Sequence, residues 1–244
     1  MDQEIHIGTS GWNYPEWRAV FYPSGLPSSL RLEYYTRFFS TVELNATFYR
    51  QPQPSTMTSW ATRTPAGFIW AVKANRFITH VKRLHEVEEP LRRFFLSLEP
   101  LRDKLGPILF QLPPGLPFHE SSLAEFCRHL RPDFRYVVEV RHRSWVCEPC
   151  FKILGENRIA FCISDTAGRY PFYEQITADF TYIRLHGSRV LYSSEYTDDE
   201  LVRWAQKIAD WKRETFVYFD NTAAGHAPAN ALRLKELLGL TQPP

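Results

Sequence analysis

The chain has 244 residues, 44% of them hydrophobic, enough apolar surface for a large core and incompatible with a low-complexity or disordered polymer. With 29 basic against 27 acidic residues the formal net charge is +2, too small to point by itself to nucleic acid or a membrane surface. No apolar stretch approaches the roughly 18 residues of a bilayer span, and the first residues enter a strand without a basic, apolar leader. A cytoplasmic protein with no membrane partner is the expectation.

In chain order, strand-like runs rich in β-branched and aromatic residues occur near 5–10, 41–47, 69–75, 107–112, 136–141, 159–165, 180–187 and 215–221. Helix-forming segments fill most of the gaps. Leu32, Tyr35, Phe38 and Phe39 share one face of a first helix. Pro90 opens another, with Leu91, Phe94, Phe95 and Leu98 on its buried stripe. Ser122 with Glu125, and Thr197 with Glu200, have capping-box spacing. Pro228 stands near the start of the last helix and Gly239 at its stop. Between 165 and 180, Gly168 and Pro171 leave little room for a regular helix. Eight strands alternating with helices over about this length predict one domain, residues 1–244, folded as a closed parallel (β/α)₈ TIM-type barrel.

Such a barrel does its chemistry where the strands end. The polar residues there are Glu43 and Asn45, Lys73, Gln111, Glu139 and Arg141, Asp165, Arg184 and His186, and Asp220 followed by Asn221. The period of two puts Glu43 with Asn45, Glu139 with Arg141, and Tyr182 with Arg184 and His186 on common faces. Four acids interleaved with three fixed cations can grip an anion, whereas acids gathered alone would suggest a metal cluster. The competing structural reading is an ion-pair plug inside the barrel, although buried charge pairs are poor stabilisers.

Loops add to this picture. After the third strand, Lys73, Arg76, Lys82 and Arg83 occur with His80 and His85, a segment able to meet phosphate or a nucleic acid strand, or simply water. Asn221 to Ala227, rich in small residues, leads into the last helix, and Gly187 and Ser188 follow the seventh strand; barrels often hold phosphate at these two loops. Trp12, Tyr14, Trp17, Phe21 and Tyr22 in the first loop either stack on a ligand or cap the barrel. Cys147-x-x-Cys150 has no second ligand pair beyond His142 and reads as packing at a helix start, alongside Cys127 and Cys162.

The leading expectation is therefore an enzyme of hydrolase or lyase type acting on a small anionic, phosphorylated substrate. Lys73, Arg141 and Arg184 would hold the anion, with Asn45, Gln111, Trp12 and Asn221 lining the site. Glu43 or Glu139 would act as base, His186 as acid, and Asp220 would orient His186. No cofactor is expected. A second reading, metal-assisted phosphodiester cleavage, keeps a divalent metal open with Glu43, Glu139, Asp165, His186 and Asp220 as ligands. A third is a non-catalytic nucleic-acid-binding module. Oligomeric state is not encoded legibly.

A set of motifs spread from about residue 5 to about 240 is similar to the YecE-like family, domain of unknown function 72. They include Ile7-Gly-Thr-Ser-Gly-Trp12, Thr41-Val-Glu-Leu-Asn45 with Thr47-Phe-Tyr49, and Phe68-x-x-x-Val-Lys73 with Thr79-His80. Phe110-Gln-Leu-Pro-Pro114, Glu139-x-Arg141-His142 with Ser144-Trp145, Tyr182-x-Arg-Leu-His-Gly187, and Tyr218-x-Asp-Asn221 with Gly225-His-Ala-Pro228 complete the set. The resemblance implies a closed parallel barrel and implies no reaction.

Overall fold

The computed structural model describes residues 3–240. Its eight strands are β1 (Ile5–Thr9), β2 (Thr41–Leu44), β3 (Ile69–Lys73), β4 (Leu105–Gln111), β5 (Tyr136–Glu139), β6 (Ile159–Asp165), β7 (Phe180–Leu185) and β8 (Glu214–Phe219). All pair in parallel in the order β1-β8-β7-β6-β5-β4-β3-β2. The helices are α1 (Arg31–Tyr35), α2 (Ala46–Tyr49), α3 (Pro54–Thr62), α4 (Glu88–Leu98), α5 (Glu120–Arg128), α6 (Glu148–Glu156), α7 (Asp198–Trp211) and α8 (His226–Leu237). No helix is described between β6 and β7, as Gly168 and Pro171 suggest.

The barrel closes between β1 and β2 by a seam rather than a full ladder. Ser10 and Glu43 form one parallel bridge, and the Gly11 N–H donates to the Glu43 carbonyl at 2.8 Å. Below it, the Tyr35 hydroxyl accepts from the Thr9 N–H and donates to the Thr41 carbonyl, both at 3.0 Å. One α1 side chain thus satisfies two strand edges that would otherwise be buried unpaired. Gly8 is required here, because a Cβ would lie 2.3 Å from the Thr41 carbonyl oxygen.

Alternation along the strands separates two apolar layers. Ala71, Leu109, Val137, Ala160, Cys162, Tyr182 and Tyr218 fill the barrel interior, while Val42, Trp70, Ile108, Val138, Ile163, Ile183 and Val217 pack against the helices. α4 buries Leu91, Phe94, Phe95 and Leu98 as its sequence stripe predicts. The Thr197–Glu200 capping box forms at α7; that of Ser122 and Glu125 does not, because α5 begins at Glu120, with His119 at the N-cap. β2 stops at Leu44, short of the expected 47, because Ala46–Tyr49 turns helical.

Candidate functional site

The inward parity of β7 carries Arg184 into the middle of the mouth, fully buried, where it binds three acids from three other strands. Its Nε donates to Oε2 of Glu43 at 2.9 Å and its Nη2 to Oε1 at 2.7 Å, a forked contact. Nη1 donates to Oε2 of Glu139 at 2.7 Å, and Nη2 to Oδ2 of Asp220 at 3.0 Å. Glu43 also accepts from the hydroxyls of Ser10 and Tyr182, each at 2.7 Å. Both oxygens of Glu139 accept from Nε2 of Gln111 at 2.9 Å, and Oε1 accepts from Nε of Arg141 at 3.3 Å. Burial alone would raise the Glu139 pKa, but Arg184, Arg141, His186 and Lys73 together hold it well below the usual carboxylate range.

His186 is fully buried beside this hub. Its Nε2 lies 3.1 Å from Nη1 of Arg184 and its Nδ1 2.9 Å from Oδ2 of Asp220. Asp220 would be raised by burial, yet Arg184 and His186 keep its pKa below the ordinary value. Unlike Glu43 and Glu139, its side chain retains 14% exposure.

Lys73 ends β3 with its side chain directed at the same mouth, but it has no carboxylate within ion-pair distance among the described residues. Its Nζ lies 4.2 Å from the centroid of Phe48. That ring is set by α2, which Thr47 pins to β3 by donating to the Lys73 carbonyl at 2.6 Å, while Asn75 donates to the Thr47 carbonyl at 2.9 Å. Burial pushes the Lys73 pKa down to about 8, Arg184 adding to the effect. His80 meets Phe48 edge-on at 5.0 Å, and burial with Lys73, Arg141 and Arg76 nearby lowers its pKa to about 4. Arg141 rests over the Tyr170 ring at 4.5 Å and donates to the Tyr192 hydroxyl at 3.2 Å. Its Nη1 has no hydrogen-bond partner among the described residues.

Comparison with known proteins agrees with the motif pattern. The family described as "Protein of unknown function DUF72" matches residues 6–244. The chain belongs to this family. Over 271 aligned residues it is 27% identical to the UPF0759 protein YunF of Bacillus subtilis, covering 97% of this chain and 95% of that one. A DUF72 family protein from Thermotoga maritima has a similar structure, with a TM-score of 0.88 and 30% identity over 97% of this chain and 100% of the other. Another from Enterococcus faecalis gives 0.83 at 20% identity, over 96% and 95%.

The DUF72 barrel brings Glu43, Lys73, Gln111, Glu139, Arg141, Arg184, His186 and Asp220 to one mouth, but several expected placements need correction. Asp165 is displaced by parity: Ala160, Cys162 and Ser164 are the inward positions of β6, so Asp165 faces α7 and accepts from Tyr196 at 3.0 Å. Burial raises its pKa. Asn221 is fully buried in the scaffold, donating to the Ser194 carbonyl at 3.0 Å and to Asn230 at 2.9 Å. Arg184 is bound to its acids and is not a free anion receptor. Nε2 of His186 is taken up by Arg184, while Nδ1, although 2.9 Å from Oδ2 of Asp220, makes no hydrogen bond among the described residues.

Loop expectations shift in the same way. In the seventh loop the N–H groups of Arg189 and Val190 donate to Ser194 Oγ and that of Gly187 to the Tyr196 hydroxyl, so they are not aimed at an anion. In the eighth, Gly225 packs against Val20 of the first loop. Lys82 is paired with Glu86. Trp12 meets Trp60 and Trp70 edge-on, each at 5.3 Å, and with Asn45 and Tyr49 lines a cavity of about 360 Å³ beside the mouth. Trp17 and Tyr22 are buried and cap the barrel. Burial pushes the Cys150 thiol up to about 12, consistent with packing.

Sequence reasoning missed Ser10, Phe48, Tyr170, Tyr192 and the unpartnered Ser164 hydroxyl as parts of the mouth. Ser10 and Ser164 could have been found from strand parity; the tyrosines arrive on loops whose path no periodicity encodes. Among the described residues, the one trio close enough to share a metal ion is Glu4, His6 and Glu214, at the opposite end of the barrel. The set expected from sequence is not assembled, since Arg184 bridges Glu43 and Glu139 and Asp165 points away.

Proposed function

We propose that this protein is an enzyme of hydrolase or lyase type that acts on a small anionic, phosphorylated substrate at the C-terminal barrel mouth. The observation that carries the reading is Lys73, a cation only 8% exposed that lacks an acid partner although three carboxylates lie nearby. Those carboxylates are drawn instead to Arg184. Isolated buried charge is costly, so a barrel mouth that keeps one unpaired favours a ligand of opposite sign. Lys73 and the spare Nη1 of Arg141 hold the anion in this reading. Asp220, the least buried acid of the cluster, acts as general base. Arg184, Glu43, Glu139, Gln111 and His186 form a hydrogen-bonded floor that fixes these groups.

Thermal unfolding with inorganic phosphate, against chloride at matched ionic strength, tests the reading. Phosphate should raise the midpoint of the wild type and leave a Lys73→Met, Arg141→Gln double variant unmoved. Equal shifts in both proteins, or none in the wild type, contradict it. Salt-dependent binding of oligonucleotides that survives the same two substitutions would favour the nucleic-acid module instead.

A further inference from the structure

We infer that the Lys73 amine is a nucleophile that condenses with a substrate carbonyl, so that the substrate is an aldehyde or ketone carrying a phosphate or carboxylate group. The inference rests on the anion-binding reading above and adds the reactive group.

The seven lysines of the chain differ in what they contact. Lys82, Lys152 and Lys207 face carboxylates. Lys104 and Lys235 donate to backbone carbonyls, and Lys212 is an exposed helix terminus. Lys73 alone is buried without an acceptor among the described residues. A lysine needed only to neutralise Glu43, Glu139 or Asp220 would sit on one of them. Here Arg184 holds those acids, and the amine lies on an apolar ring instead.

The groups around it set its protonation. Phe48 from α2 offers no hydrogen bond, His80 meets that ring edge-on, and Arg184 from β7 repels the charged form, while Glu139, Asp220 and Glu43 favour it. Burial prevails, and a pKa of about 8 leaves a far larger share of free amine at neutral pH than the ordinary lysine value of 10.5 allows.

The step balances without a further reagent. Nζ adds to the carbonyl carbon as the C=O π bond opens, giving a carbinolamine. The carbonyl oxygen then leaves as water with the two hydrogens that were on nitrogen, and a C=N bond remains. Asp220, whose Oδ1 has no partner among the described residues, is the acid–base group suited to carry those protons. The Arg141 guanidinium takes the anionic end. A protonated imine withdraws electrons from the adjacent carbon, which gives the lyase half of the proposed function a chemical basis.

The test is reductive trapping on the full chain. The protein is treated with glyoxylate or glycolaldehyde phosphate and sodium borohydride, acetaldehyde serving as the uncharged control, and its seven lysines are followed by peptide mass spectrometry. The expected result is a Lys73 adduct forming at least tenfold faster than at any other lysine, with a rate that rises through a midpoint near pH 8 and is suppressed by inorganic phosphate. Lys73→Arg should abolish the adduct. Uniform labelling of the lysines overturns the inference. So does a wild type that binds phosphate but gives no Lys73 adduct, in which case the anion site stands and the nucleophile does not. Loss of both signals overturns both readings.

Discussion

Nη1 of Arg184 lies 3.1 Å from Nε2 of His186, and because a guanidinium can only donate, the histidine accepts there. The ring proton is thereby assigned to Nδ1, on the side of Asp220. Arg184 thus organises an imidazole as well as three carboxylates. Removing it strands Glu43, Glu139 and Asp220 in a buried mouth. Arg184→Met is expected to lose about 3–5 kcal/mol at neutral pH by urea unfolding, the usual cost of breaking a buried ionic network. A loss under about 1 kcal/mol would mean the network is not a structural floor.

Glu139 tests the same floor through pH. Its folded pKa lies below its ordinary value, so its contribution is complete above the unfolded pKa, near 4.5, and is lost as pH falls toward the folded one. Wild-type stability should therefore drop steeply below about pH 5. Glu139→Gln should be less stable than wild type at pH 7 and show a shallower acid limb. Parallel acid limbs in the two proteins would place the acid sensitivity elsewhere.

Lys73 has the opposite sign. Its folded pKa of about 8 lies below its ordinary 10.5, so the unfolded chain binds more protons between these values and stability rises with pH across that window. The penalty is complete below pH 8 and could reach about 3 kcal/mol. Lys73→Met should accordingly be more stable than wild type at pH 7, and the gap should close as pH approaches 10.5. A destabilised variant would show that Lys73 has a structural partner.

At the barrel seam, Tyr35→Phe leaves the Thr9 N–H and the Thr41 carbonyl without the hydroxyl between them. A loss of about 1–3 kcal/mol is expected for such a buried defect. Gly8→Ala, which drives a Cβ onto the Thr41 carbonyl, should be worse. If Tyr35→Phe unfolds like wild type, the seam is closed by other contacts.

Much of this architecture was legible in the sequence because strand burial writes itself as apolar runs; β6 is found at 159–165 as expected, and β7 ends two residues early, at Leu185 rather than 187. The site was legible where parity was applied, as for Glu43, Glu139 and Arg184. It failed at Asp165 and Asn221, where polar type was weighed above parity. Nothing local could show that Arg184 would bind the acids and leave Lys73 alone, because that choice depends on which side chains from distant strands meet at the barrel axis. The Tyr35 seam is equally non-local: a helix residue completes two strands.

The central claim is that Lys73 is a buried, unpaired cation that awaits an anion. Its direct measurement is an NMR pH titration of the protein with ¹³C at the lysine ε positions, with and without inorganic phosphate. One of the seven lysine signals, absent in Lys73→Arg, should titrate near pH 8 and move upward when phosphate is added, since an anion stabilises the charged form. A Lys73 signal that titrates with the surface lysines, near about 10.4, and ignores phosphate would contradict the account.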